Sequence, residues 1–217
     1  MLKKIAFSLL FVTGFFFNGF SQQDTNAKAI LDGVSEKYQS LKGLKANFEF
    51  SYSHSGDGVN QTQTGEIAVK GDKYRLKLPE QEIFNNGKTI WTYIVSGNYK
   101  EVTINYAGET EDELTPSSVY NIYKKGYNYR LIGEKTENGN VIQEVELTAI
   151  NSGTPFKKVI LFVVKAKKDL AGWEIYDDQG GVFKYRFKSV NTQENLADDY
   201  FNFNPKQYGK IEIIDLR

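Results

Sequence analysis

Most of this chain is written in short runs of alternating apolar and polar residues, separated by turn-forming residues. Leu44, Ala46, Phe48, Phe50 and Tyr52 alternate with Lys45, Asn47, Glu49, Ser51 and Ser53. The same period of two appears in Tyr74-Arg75-Leu76-Lys77-Leu78, and a further run carries Ile67 and Val69. Comparable runs cover 88–95, 99–106, 127–133, 141–150, 156–165, 173–176 and 182–190. Between them lie turn signals: Gly71-Asp72, Ser96-Gly97-Asn98, Glu137-Asn138-Gly139-Asn140, and the stretches 169–172 and 177–181. Each run buries one face and wets the other, so the pattern predicts roughly ten or eleven strands in an antiparallel meander. A sheet that long must curl toward closure or be covered, because flat exposed edges invite aggregation.

Two segments break the period. From Asp24 to Leu41 the apolar residues Ala27, Ile30, Leu31, Val34, Tyr38 and Leu41 fall at helical spacing, with Asp24 or Thr25 to cap the start and Gly43 beyond the end. A shorter helix is predicted from Thr115 and Pro116 to Lys124, Lys125 and Gly126, with Val119, Tyr120, Ile122 and Tyr123 on its apolar side. Both helices need a surface, and the concave side of a curled sheet is the natural one. No repeat and no linker divides the chain, so 22–217 reads as one mainly β (α+β) domain.

The first residues have a separate purpose. Lys3 and Lys4 precede an apolar run from Ile5 to Phe17, and Asn18-Gly19-Phe20-Ser21 offers small residues before Gln22. This is the pattern of a secretory signal cleaved after residue 21. The run is too short for a spanning helix. Loss of Lys3 and Lys4 leaves a nearly neutral mature chain, since the whole carries 27 basic and 27 acidic residues.

Composition then removes several kinds of chemistry. With no Cys there is no disulfide framework, no thiolate metal site, no cysteine nucleophile and no lipidated N-terminal cysteine. The single histidine, His54, lies in a loop-like stretch and reads as solvated rather than catalytic. Balanced charge argues against a nucleic-acid binder. The acidic run Glu109–Glu113 lacks the spacing of a calcium loop, and Asp177-Asp178-Gln179-Gly180-Gly181 reads as a hairpin turn. No glycosidase pair can be singled out among the acids, and no phosphate-binding glycine loop is present. Aromatics are abundant instead: 14 Tyr, 15 Phe and 2 Trp, recurring at alternate strand positions such as Trp91/Tyr93, Tyr127/Tyr129 and Phe183/Tyr185/Phe187. Such rings fill an ordinary core, and they can also line an apolar cavity.

Asn86-Gly87-Lys88-Thr89-Ile90-Trp91-Thr92-Tyr93 resembles the D-G-K-x-h-W-x-Y stretch of the periplasmic outer-membrane lipoprotein carrier family (LolA). Gly65-Glu66-Ile67-Ala68-Val69-Lys70 followed by Tyr74-Arg75-Leu76 is similar to that family's G-x-h-x-h-K strand pair. Phe201-Asn202-Phe203-Asn204-Pro205-Lys206-Gln207-Tyr208-Gly209 resembles its F-x-F-x-P-x-x-G signature. The resemblance implies an unclosed barrel of about eleven strands whose hollow is covered by helices. It also implies a job without catalysis, cofactor or metal: a monomeric carrier in the periplasm of a Gram-negative bacterium. Its partners would be acylated lipoproteins, an inner-membrane lipoprotein-releasing transporter and an outer-membrane acceptor. A carrier of another lipid or apolar pigment, or an envelope-stress sensor or interaction domain, would use the same fold. Well-known members carry an arginine after the second strand's Val-Lys, thought to latch the lid; here Val69-Lys70 is followed by Gly71-Asp72.

From strand parity, the expected lining of the hollow is Phe48, Phe50, Leu76, Leu78, Trp91, Tyr93, Phe183 and Tyr185. The underside of the lid is expected to be Ile30, Leu31, Val34, Val119, Ile122 and Tyr123.

Overall fold

A computed structural model describes residues 24–54, 60–108, 118–151 and 156–217. The signal at 1–21, the acidic run Glu109–Glu113 and the cap at Thr115 and Pro116 lie outside these residues. The helix α1 (Thr25–Ser40) is followed by β1 (Leu44–His54), β2 (Asn60–Lys70), β3 (Lys73–Lys77), β4 (Gln81–Asn85), β5 (Thr89–Ser96) and β6 (Tyr99–Tyr106). After a short 3-10 helix (Val119–Lys124) come β7 (Tyr127–Glu137), β8 (Asn140–Ala149), β9 (Lys158–Val164), β10 (Asp169–Tyr176), β11 (Gly181–Asn191) and β12 (Glu212–Asp215).

All the strands join one curved sheet in the order β12-β6-β5-β4-β3-β2-β1-β11-β10-β9-β8-β7. Neighbours pair antiparallel except β12, which runs parallel to β6. Since β12 and β7 remain as edges, the barrel is unclosed. The count is twelve among the described residues. The two strands missed by the alternation are β4, a short and largely polar segment after Pro79, and β12, which has only four residues.

Local chemistry sets the connections. Asp24 caps α1 by accepting from the backbone N–H groups of Asn26 (2.8 Å) and Ala27 (3.1 Å). Asn138 and Gly139 turn β7 into β8 with φ of 49° and 75°, the left-handed pair that a tight hairpin requires. The expected turn at 169–172 is instead the start of β10: the chain reverses through residues 165–168, with Lys168 at φ 55°. Gly172 marks a bulge in β10 rather than a turn. His54 belongs to the end of β1, where its Nε2 lies 3.1 Å from the Gln179 carbonyl oxygen. Asp177 Oδ1 accepts from the backbone N–H of Gln179 (2.9 Å) and Gly181 (2.6 Å), so the 177–181 carboxylate closes a hairpin.

The main core lies between α1, the 3-10 helix and one face of β7 to β10. It continues onto β1 and β2 through Leu44, Ala46, Phe48 and Ile67. On the other face, the segment after β11 crosses the sheet, burying Leu196 and Phe201 against Ala68.

Candidate functional site

The concave face is an aromatic floor. Phe50 and Tyr185 are partners across β1 and β11, as are Tyr52 and Phe183, and their rings approach to 5.0 and 4.8 Å. Phe48 stands 6.1 Å from the Tyr185 ring, and Trp173 of β10 stacks on it at 4.8 Å. Burial pushes the Tyr185 hydroxyl up to about 12, so it stays neutral under any physiological condition. Leu76 and Leu78 extend the apolar surface past Ile67 and Val69.

Over this floor lies a roof. Leu31 and Val34 of α1 are fully buried with Val119, Ile122 and Tyr123 of the 3-10 helix, and Ile30 packs against the same cluster. Among the described residues, an apolar cavity of about 30 Å³ lies between roof and floor, bounded by Tyr38, Leu44, Ile67, Tyr120, Trp173 and Phe187 among others. That holds about one or two waters, whereas pockets for small molecules run to about 300–1,000 Å³. Around this cavity the roof's own side chains fill the space over the floor.

Polar bonds at its margins keep the roof seated. At the first turn of α1, Asp24 Oδ2 accepts from the Leu131 N–H at 2.9 Å, which holds its carboxyl below the usual range. At the last turn, Lys37 donates to the Lys167 carbonyl (2.8 Å) and pairs with Asp169, while the Tyr38 hydroxyl accepts from the Leu170 N–H at 3.0 Å. The 3-10 helix is hydrogen-bonded to α1, while its Tyr123 ring meets Tyr129 of β7 edge-on at 5.9 Å. Tyr123 donates to Asp32 at 2.6 Å, and Ser35 donates to Asn121 at 2.7 Å.

The structure brings together Phe48, Phe50, Leu76, Leu78, Phe183 and Tyr185 on the roofed face. It does not place Trp91 and Tyr93 there. Tyr93 opposes Glu82 and packs its ring 4.5 Å from Tyr208 and 6.1 Å from Phe203, on the outer face, and Trp91, two residues away, shares that face. The positions of β5 that share a face with Leu76 and Ile83 are Ile90, Thr92 and Ile94. The cause is parity: without β4 the phase of β5 relative to β3 could not be counted, and a slip of one residue reverses every side chain. Trp173 and Phe187 are the floor residues that sequence reasoning missed. Their signal was present, since both continue the alternation that begins at Ile175 and Phe183.

Lys70, Lys73 and Arg75 also face outward. Lys70 and Lys73 both reach Asp198, at 2.8 and 2.9 Å, and hold its carboxyl down to about 2. Arg75 pairs with Glu82 at 2.7 Å, between the rings of Phe84 and Tyr200. These cations secure the C-terminal segment and leave the roof to the contacts described above.

The fold is a curved, unclosed sheet whose apolar face is covered by α1 and the 3-10 helix. An uncharacterized conserved protein from Thermus thermophilus has the same fold, with a TM-score of 0.58 at 15% identity over 88% of this chain and 99% of that one. A LolA superfamily protein from Nitrosomonas europaea aligns with a TM-score of 0.43 at 14% identity, covering 82% and 97% of the two chains. In a Pseudomonas aeruginosa MucA/MucB complex, the similar chain aligns at 0.43 and 16% identity, covering 83% of this chain and 62% of that one. No curated protein matches the chain in sequence. The family model for the outer membrane lipoprotein carrier protein LolA matches residues 39–204. The chain belongs to the LolA family.

Proposed function

We propose that this chain is a periplasmic carrier that shields the acyl chains of lipoproteins beneath α1. It would be exported through the signal at 1–21 and take its cargo from an inner-membrane lipoprotein-releasing transporter to an outer-membrane acceptor. The observation that carries this reading is the aromatic floor whose covering helices nearly fill the interior. Family membership supports it.

Energetics favour exchange between roof and cargo. Lifting Leu31, Val34, Val119 and Ile122 into water costs roughly 6–12 kcal/mol at about 1.5–3 kcal/mol each. An acyl chain of about sixteen carbons regains about 12 kcal/mol at ~0.8 kcal/mol per methylene, so a cargo with several chains can offset the opening of the roof. Tight, shape-specific binding would strand the cargo.

The two tryptophans supply the test. In the Trp91→Phe variant, brominated fatty-acyl probes should quench the remaining Trp173 strongly. In Trp173→Phe, the remaining Trp91 should be little affected. Equal quenching of both, or of neither, defeats the assignment of the hollow. Organic extraction and mass spectrometry of protein purified from its native envelope then identifies the cargo. Triacylated peptides support the lipoprotein reading, another lipid or pigment replaces the cargo, and an empty chain that rejects the probe leaves an interaction domain.

A further inference from the structure

The concave face continues past the roof, and its chemistry changes there. The core beneath α1 draws on β7 to β11, and none of its members comes from β4, β5, β6 or β12. Pairing in register carries the same face onward. Ile67 of β2 opposes Leu76, Leu76 opposes Ile83, Ile83 opposes Thr92, and Thr92 opposes Thr103. Glu101 and Asn105 share that face of β6, two residues to either side of Thr103. The row that begins on the apolar floor therefore ends on a polar wall.

Two properties of the wall restrict what it can face. First, Thr92, Thr103 and Asn105 are half-buried, and their side chains make no hydrogen bond among the described residues. Their donors and acceptors are left to whatever enters the hollow. Second, the wall carries negative charge without a cation. Glu101 and Glu212 are neighbours on β6 and β12, and Tyr99 Oη lies 2.8 Å from one and 3.0 Å from the other. One hydroxyl proton leaves both carboxylates with free acceptor positions. No Lys or Arg stands on this face of β4, β5, β6 or β12: Lys100 opposes Val95 on the outer face, and Arg217, beyond β12, is paired with Asp215.

Acyl chains alone do not distinguish a lipoprotein from a membrane phospholipid, since both bring the same methylenes. The head group must do so. A phosphate head calls for Arg or Lys, and here it would meet neutral hydroxyls and two like charges. We infer that this wall is a head-group subsite, where Thr92, Thr103 and Asn105 hydrogen-bond the amide and ester groups of an acylated peptide while Glu101 and Glu212 repel phosphate. The inference rests on the acyl-carrier reading and adds to it a basis for choosing among amphiphiles. Selectivity of this kind comes from what the wall repels as much as from what it binds.

The test displaces a neutral pyrene-labelled acyl amide from the mature chain with two amphiphiles of matched acyl chains. One is an N-acetylated cysteinyl-serine amide carrying a dipalmitoylglyceryl group, and the other is dipalmitoyl phosphatidylglycerol. The peptide should displace the probe at about tenfold lower concentration. Thr103→Val keeps a β-branched side chain and should weaken the peptide about threefold, without moving the phospholipid or the melting temperature. Glu101→Gln should instead tighten the phospholipid about fivefold and leave the acyl amide unchanged. Equal displacement by both amphiphiles, or a gap that neither variant narrows, overturns the head-group subsite while acyl carriage stands. Failure to bind the acyl amide at all overturns the carrier reading and the subsite together.

Discussion

Gly172 lies in β10 at φ 156°, and a Cβ there would run into the Tyr185 carbonyl oxygen. Gly172 opposes Arg186 and the next residue, Trp173, opposes and stacks on Tyr185, so this part of the floor depends on an absent side chain. Gly172→Ala is expected to destabilise the chain by about 3 kcal/mol or more, measured by denaturant unfolding. Leu31→Ala should cost about 2–5 kcal/mol, because the side chain is fully buried beneath the roof. Unlike Gly172→Ala, it opens a cavity under α1 and should therefore raise acyl-probe affinity relative to stability. Equal losses of stability and binding would show that α1 is a fixed part of the core.

At the scale of elements, α1 is pinned to the sheet at both ends, and the 3-10 helix is pinned mainly to α1. Asp24 serves three backbone donors at once: Asn26, Ala27 and Leu131. Asp24→Ala should lower Tm by a few degrees and speed probe uptake in stopped-flow fluorescence. Lys37→Met, which removes the pair with Asp169 and the bond to Lys167, should also speed uptake. If neither variant changes the uptake rate, opening does not involve the ends of α1. The helix itself was legible in the sequence, since its stripe and cap depend on neighbours within a few residues. Its bonds to Leu131, Lys167 and Leu170 were not, because those partners lie about a hundred or more positions away.

For the whole molecule, the sheet separates an apolar floor under α1 from an outer face of mixed chemistry, where the C-terminal segment packs Phe201, Phe203 and Tyr208 among charged residues. That segment is held partly by Lys70 and Lys73 on Asp198, whose carboxyl is lowered from 3.8 to about 2. A depressed carboxylate stabilises the fold above its unfolded value and loses that contribution as pH falls through its folded one. Amide exchange in residues 196–203 should therefore accelerate between about pH 4 and pH 2, before the roof loosens. Asp198→Asn should remove the pH dependence within that window. Exchange that rises uniformly over the whole sheet would place the effect in global acid unfolding instead.

Alternation, helical spacing and turn chemistry by themselves determined a mainly β chain with two amphipathic helical segments, the second folding as the 3-10 helix, since each acts over a few residues and leaves a local trace. The roof's apolar residues were equally legible, because a helix face is defined by its own spacing. Which face Trp91 and Tyr93 occupy was decided only by the tertiary structure. Parity is inherited across hydrogen-bonded neighbours, and one short polar strand, β4, sets the phase of β5 against the floor. The same holds for the outer face, where pairing in register brings Ala68 between Lys45 and Arg75 and beneath Leu196 and Phe201. Long-range pairing is a property of the folded sheet, and no local pattern encodes it.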